Sequence, residues 1–205
     1  MKRSISSQDN PGCVIAPLYV RISHWLNAIA VVVMILSGLK IYNASPIFEF
    51  LIPKELTLGG WLGGALLWHF AFMWLLFANG AVYLGMNFTT GRIGKKFFPV
   101  RLKPIVKDLI DTLKGKLSHD DLSQYNAIQK LAYLSVMIDL CLLVISGLAI
   151  WKSVQFPTLR DLMGGFDIAR IVHFVAMAYL VFFVFVHLAM VALVPKTLRV
   201  MILGK

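Results

Sequence analysis

Charge is scarce in this sequence. Only 15% of its 205 residues are Asp, Glu, Lys or Arg, where a soluble domain carries about 25%. Another 59% are hydrophobic, and the mean hydropathy is +0.76. So little polar surface does not cover a water-soluble globule, which excludes a soluble enzyme. Cysteine is scarce too: Cys13 lies in a polar tail and Cys141 in an apolar run, so no disulfide framework is expected. Acid is the rarer charge, with 10 acidic against 20 basic residues and a net charge of +10. In an apolar chain the placement of the cations means more than their sum, and nucleic acid is not an expected partner. Long apolar runs and 12% aromatic residues exclude a disordered or fibrous chain. After Lys2 and Arg3 the amino-terminal stretch is polar through Gly12, without an apolar core or small-residue cleavage site. No cleaved signal peptide is expected.

Four apolar segments remain, about Leu18 to Tyr42, Gly60 to Met86, Ala127 to Trp151 and Ile168 to Val194. Each exceeds the roughly 20 residues that a helix needs to cross a bilayer. The expected fold is all-α: one membrane domain over residues 1–205, built as a four-helix bundle. Its basic residues fall unevenly. Lys2, Arg3 and Arg21, then Arg92, Lys95, Lys96, Arg101, Lys103, Lys107, Lys114, Lys116 and Lys130, then Lys196, Arg199 and Lys205 share one side; Lys40, Lys54, Lys152, Arg160 and Arg170 take the other. The excess of Lys and Arg marks the cytoplasmic side. Both termini and the long loop are therefore expected inside. Within that loop Ile105, Val106, Leu109, Ile110, Leu113 and Leu117 share one helical face. This predicts an amphipathic helix on the cytoplasmic surface, read as a membrane-surface linker in preference to a docking surface for a partner. Ser118-His119-Asp120-Asp121 reads as a capping box ahead of the third span.

The histidines carry the argument. His24, His69, His173 and His187 all lie within spans, and His119 lies in the loop. An ionisable side chain in a bilayer is costly and normally faces the bundle interior. His173 and His187 are 14 residues apart, which is close to four turns and about 21 Å of rise, so both leave one face of the fourth span. Depth then pairs His24 with His187 towards the cytoplasm, and His69 with His173 towards the outside. Two imidazoles per level are too few for a closed zinc site, and no carboxylate or thiol stands at either level. A porphyrin supplies four nitrogens itself and leaves two axial positions for the protein. Two stacked bis-histidine haems are the expectation. Gly38 and Gly147 stand near the outer level, either clearing space there or packing helices.

Several stretches now resemble a known family. Arg21-Ile22-Ser23-His24-Trp25 with Ser37-Gly38-Leu39, Trp68-His69-Phe70 through Asn79-Gly80, Tyr125 through Lys130, and Ala169-Arg170 with His173 and His187 resemble the four helices of the bacterial di-haem cytochromes b. These are the membrane subunits of nickel–iron hydrogenase, respiratory formate dehydrogenase and thiosulfate-reductase-type complexes. The resemblance covers nearly the whole chain. It implies two haem b groups, on His24–His187 and His69–His173, in a bacterial inner membrane. It implies electron transfer between a quinone pool and a partner on the periplasmic side: a molybdenum oxidoreductase, a hydrogenase or a c-type cytochrome. From the formate dehydrogenase branch it also implies a quinone near Asn126, Gln129 and Lys130, which otherwise read as a polar helix entry.

Other polar residues have two readings each. Arg21 and Arg170, each three residues before a histidine, suit a haem propionate as guanidinium forks, or else mark the membrane boundary. Asp139, in the middle of the third span, is either a proton-relaying group or a satisfied polar contact. Trp25, Trp61 and Trp151 fit aromatic belts. Two rival functions stand beside the first. One is a stand-alone quinone-linked oxidoreductase acting on a small species such as superoxide, steered by outer cations. The other is a cofactor-free anchor or transporter whose histidines relay protons.

Overall fold

A computed structural model of the protein describes residues 14–98, 104–106, 108, 110 and 125–204. Four helices are long and apolar enough to cross a membrane: α1 (Leu18–Ala44), α2 (Leu62–Thr89), α4 (Ala127–Trp151) and α6 (Phe166–Leu193). Short helices α3 (Arg92–Phe97), α5 (Pro157–Leu162) and α7 (Lys196–Leu203) lie between or after them. The described residues contain no strand. The four expected spans are all present, with no end displaced by more than three residues and the third span unchanged. Of the expected loop helix, residues 104–106, 108 and 110 are described and are helical; its remainder, the capping box at Ser118, His119 and Cys13 lie outside the described residues.

Local chemistry sets the helix ends. Pro46 follows α1 closely, and a proline disfavours helical backbone at the residue before it. Asn126 precedes α4, and its Oδ1 accepts from the Gln129 backbone N–H (2.8 Å) while the Gln129 Oε1 accepts from the Asn126 N–H (3.1 Å). That reciprocal pair is a capping box. The Asp108 carboxylate accepts from the next free N–H, that of Ala127 (2.8 Å). Pro157 opens α5, where the missing N–H costs nothing. Pro195 opens α7, and Gly204, with φ +84°, closes it.

The helix interiors hold small residues and the outer faces hold large ones. Ala30, Ser37, Ala65, Ser146, Ala149 and Ala169 are fully buried, while Leu67, Ile138, Phe182 and Phe185 are each more than 60% exposed. Between helices in lipid there is no hydrophobic drive, so association rests on close backbone approach and interhelical hydrogen bonds. Large apolar side chains are left to face acyl chains.

By contacts the chain divides into two units, each drawing on all four long helices. One comprises Ser23–Val82 and Ile138–Phe183. In it the Asn79 amide donates to the Ser23 carbonyl (2.8 Å) and to Asn27 Oδ1 (2.7 Å), tying α2 to the turn of α1 that carries His24. The loop after α1 is also fastened here. Asn43 exchanges two hydrogen bonds with the Ile52 backbone (2.8 and 2.9 Å), and Tyr42 donates to the Phe50 carbonyl (3.0 Å). Tyr42, Phe48, Phe50 and Phe174 pack as one aromatic cluster with ring centres 4.9 to 6.4 Å apart. That loop turns back at Gly59 (φ +110°), where an added Cβ would overlap the Ala65 backbone, so only glycine serves there.

The other unit comprises the described residues of Met1–Ile22, Tyr83–Met137 and Val184–Lys205. Its chain ends are joined: Gly204 O accepts from the N–H groups of Ile15 (2.9 Å) and Ala16 (3.3 Å), and the Arg21 guanidinium donates to the Ile202 carbonyl. Phe97, Tyr125 and Tyr133 form a second aromatic cluster beside the start of α4.

Candidate functional site

His69 on α2 and His173 on α6 come together, with ring centres 6.5 Å apart at an interplanar angle of 66°. Each ring is held by a serine–glycine pair on a neighbouring helix. The Ser37 hydroxyl of α1 donates to the Val33 carbonyl (2.7 Å) and lies 3.1 Å from His69 Nδ1. The Ser146 hydroxyl of α4 donates to the Leu142 carbonyl (2.7 Å) and lies 2.9 Å from His173 Nδ1. Both serines are fully buried.

The adjoining glycine makes the room. A Cβ on Gly38 would stand 3.3 Å from His69 Cε1, and one on Gly147 would stand 3.3 Å from His173 Cε1. These glycines therefore clear space for the imidazoles themselves. Neither serine was assigned a role from the sequence, although Ser-Gly-Leu occurs twice, at Ser37-Gly38-Leu39 and Ser146-Gly147-Leu148. That echo, at the outer depth of two different spans, was the available signal. Asn79 was missed in the same way.

The donor set restricts what these rings can bind. Among the described residues, no group of three or more His, Cys, Asp or Glu side chains is placed to hold a metal ion. A bare zinc, which takes four protein ligands or three and a water, does not fit two imidazoles. A metal that brings its own equatorial nitrogens does. With two imidazoles 6.5 Å apart and no cluster of three metal-ligating side chains among the described residues, the residues present fit haem.

The other sequence-derived residues fall as follows. Half-buried His24 on α1 lies edge-on to Trp25, with ring centres 5.1 Å apart; it belongs to the same unit as His69 and His173. His187 on α6 belongs to the other unit. Arg170 donates to the Ser45 carbonyl and Oγ, joining the start of α6 to the end of α1. Arg21 holds the Ile202 carbonyl, as described above. Asn126 and Gln129 use their amide oxygens in the capping box, not their NH2 groups, and half-buried Lys130 follows on the first turn of α4. Asp139 is buried, and its Oδ2 has no hydrogen-bond partner among the described residues. The satisfied-contact reading of that side chain therefore fails at this oxygen. Cys141 is a free, exposed thiol among the described residues.

Four membrane-length helices that bring two imidazoles together, with no cluster of three metal-ligating side chains among the described residues, define the class as a membrane b-type cytochrome. Comparison with known proteins agrees with that class. The chain belongs to the prokaryotic cytochrome b561 family, whose model matches residues 16–204. It is thus a multi-pass membrane protein of electron transfer, with haem b as its cofactor. Over 190 residues it is 60% identical to the "Putative protein-methionine-sulfoxide reductase subunit YedZ1" of Azospira oryzae, covering 93% of this chain and 96% of that protein.

Proposed function

We propose that the protein is a di-haem cytochrome b of a bacterial inner membrane, passing electrons from quinol near its cytoplasmic end to a reductase partner on the periplasmic side. The observation that carries this reading is the His69–His173 pair, held on two buried serines. His69 and His173 hold the outer haem. His24 and His187, matched in depth along their helices, hold the inner one. When bound, the haems supply one-electron exchange at iron. The protein's own part is to provide axial nitrogens, fix their orientation and surround them with a low-dielectric shell.

The partner is read from the relative, whose name makes it a subunit of a protein-methionine-sulfoxide reductase. Identity of 60% across nearly all of both chains supports the same service here. A sulfoxide takes two electrons and two protons to give the thioether and water, so two one-electron passages through the chain serve each turnover. This assigns the direction outward and prefers a sulfoxide-reducing partner over a hydrogenase or a c-type cytochrome.

The deciding experiment is haem content per polypeptide on detergent-purified protein, with quinol as reductant. Two b-type haems per chain, both reduced by quinol, are expected. One haem overturns the two-centre reading, and none overturns the assignment of the histidines altogether.

At the quinone end, Asn126 and Gln129 have NH2 groups outside the capping box, and quinone carbonyls accept such donors. Asn126→Asp and Gln129→Glu keep the capping oxygens, since Asp caps well and Glu completes the box, but remove the donors. Quinol-dependent haem reduction is expected to need about tenfold more quinol, the effect of one lost hydrogen bond, with both haems retained. Unchanged kinetics would leave these residues as caps alone.

A further inference from the structure

The serine clasps do more than fasten the rings. A hydroxyl has one proton to give, and at Ser37 that proton goes to the Val33 carbonyl (2.7 Å). What remains at Ser37 Oγ is lone pairs. His69 Nδ1, 3.1 Å away, must therefore carry the hydrogen and donate it. The same logic holds at Ser146, whose proton goes to the Leu142 carbonyl (2.7 Å), with His173 Nδ1 2.9 Å away. Each neutral imidazole thus has its hydrogen on Nδ1 and its lone pair on Nε2.

We infer that Ser37 and Ser146 are positioning residues of the redox centre: each fixes one imidazole as the Nδ1–H tautomer, leaves Nε2 as the ligating nitrogen, and sets the electron-donating strength of that nitrogen. This rests on the proposed His69–His173 haem and goes beyond it. A hydrogen bond from Nδ1–H raises the basicity of the ring. A more basic axial nitrogen favours ferric over ferrous iron, so the serines lower the potential of the outer haem. That is the sense needed for a centre that passes electrons onward. The serines contribute through helices α1 and α4, which carry neither of the two ligands, so the donor strength of each histidine is set from a different span.

The test is a redox titration of purified holoprotein, following each haem by its visible spectrum and by electron paramagnetic resonance. Ser37→Ala, Ser146→Ala and the double variant are compared with Thr89→Ala, a control that removes an exposed hydroxyl at the end of α2. Each single clasp variant is expected to keep two haems and to raise the reduced-to-oxidised ratio of one of them about threefold to tenfold at fixed ambient potential. That is the scale of one hydrogen bond, and a tenfold change is 59 mV for one electron. The g values of the same haem should shift, the second haem and the control should stay as in the native protein, and the double variant should move further in the same direction. Ser146→Thr, which keeps a hydroxyl, should return the potential towards native if Ser146→Ala is poorly folded. Native potentials and g values in both alanine variants would overturn the inference, as would a fall in potential. Absence of haem from the native chain would overturn the haem assignment instead, so the two failures are distinct.

Discussion

His173→Ala protein is expected to purify with one haem where two are expected of the native chain, and the surviving haem should remain reducible by quinol. Changes to groups that merely support a metal ligand commonly cost 10- to 100-fold in affinity, and removal of the ligand itself must exceed that. The fold should survive. Ser146 keeps its bond to the Leu142 carbonyl, and losing the imidazole partner costs about 1 kcal/mol. His69→Ala should deplete the same haem, and the double variant should be no worse than either single one, because one axial ligand gone already leaves the site incomplete. His24→Ala and His187→Ala should deplete the other haem. If His24→Ala and His69→Ala remove the same spectral component, the depth pairing is wrong.

Substitution of Gly147 divides into two results. In Gly147→Ala, the new Cβ stands 3.3 Å from His173 Cε1, so the ring must yield by a few tenths of an ångström. Overpacking of this kind costs about 1 to 3 kcal/mol, and the gain in helix propensity over glycine, about 1 kcal/mol, offsets part of it. Both haems should stay, with the spectrum of one altered. Gly147→Val places two further carbons where the imidazole lies, and here the outer haem should be lost while the other persists. Gly80→Ala is the control, since nothing lies within 4 Å of its added Cβ. Haem content and thermal melting of the three variants check these outcomes. Full haem in Gly147→Val would show that the ring is not confined by α4.

The spans were legible because their signal is coarse: twenty or more apolar residues need no knowledge of neighbours. The histidines were legible because an ionisable group in such a run demands a reason, and helical rise turns sequence spacing into depth. That bringing together of His69 and His173 followed from depth alone. What holds them did not. Ser37, Ser146 and Asn79 are small polar residues in helices, and such residues more often bond to their own helix or to a neighbouring helix. Only the relative rotation of two helices shows which ring a hydroxyl meets. Gly38 and Gly147 were placed at the correct level, but what they clear is an imidazole, a matter of a few tenths of an ångström that no spacing rule reaches. Asn126 and Gln129 show the opposite case, a capping pair that is readable from sequence as Asn-x-x-Gln. Its spare NH2 groups become apparent only once the oxygens are seen to be engaged.

The two serine–glycine clasps also carry a consequence for how the outer pocket receives an unsymmetrical ring. Helix α1 presents Ser37-Gly38 to His69 much as α4 presents Ser146-Gly147 to His173, so the two imidazoles have equivalent neighbours. Haem b held between them would lack that equivalence, because its two faces differ, and it could enter in two orientations. The clasps alone do not distinguish the two insertions. Discrimination falls to groups that break the equivalence, and the sequence offers one at the corresponding positions: Arg170 three residues before His173, against Leu66 three residues before His69.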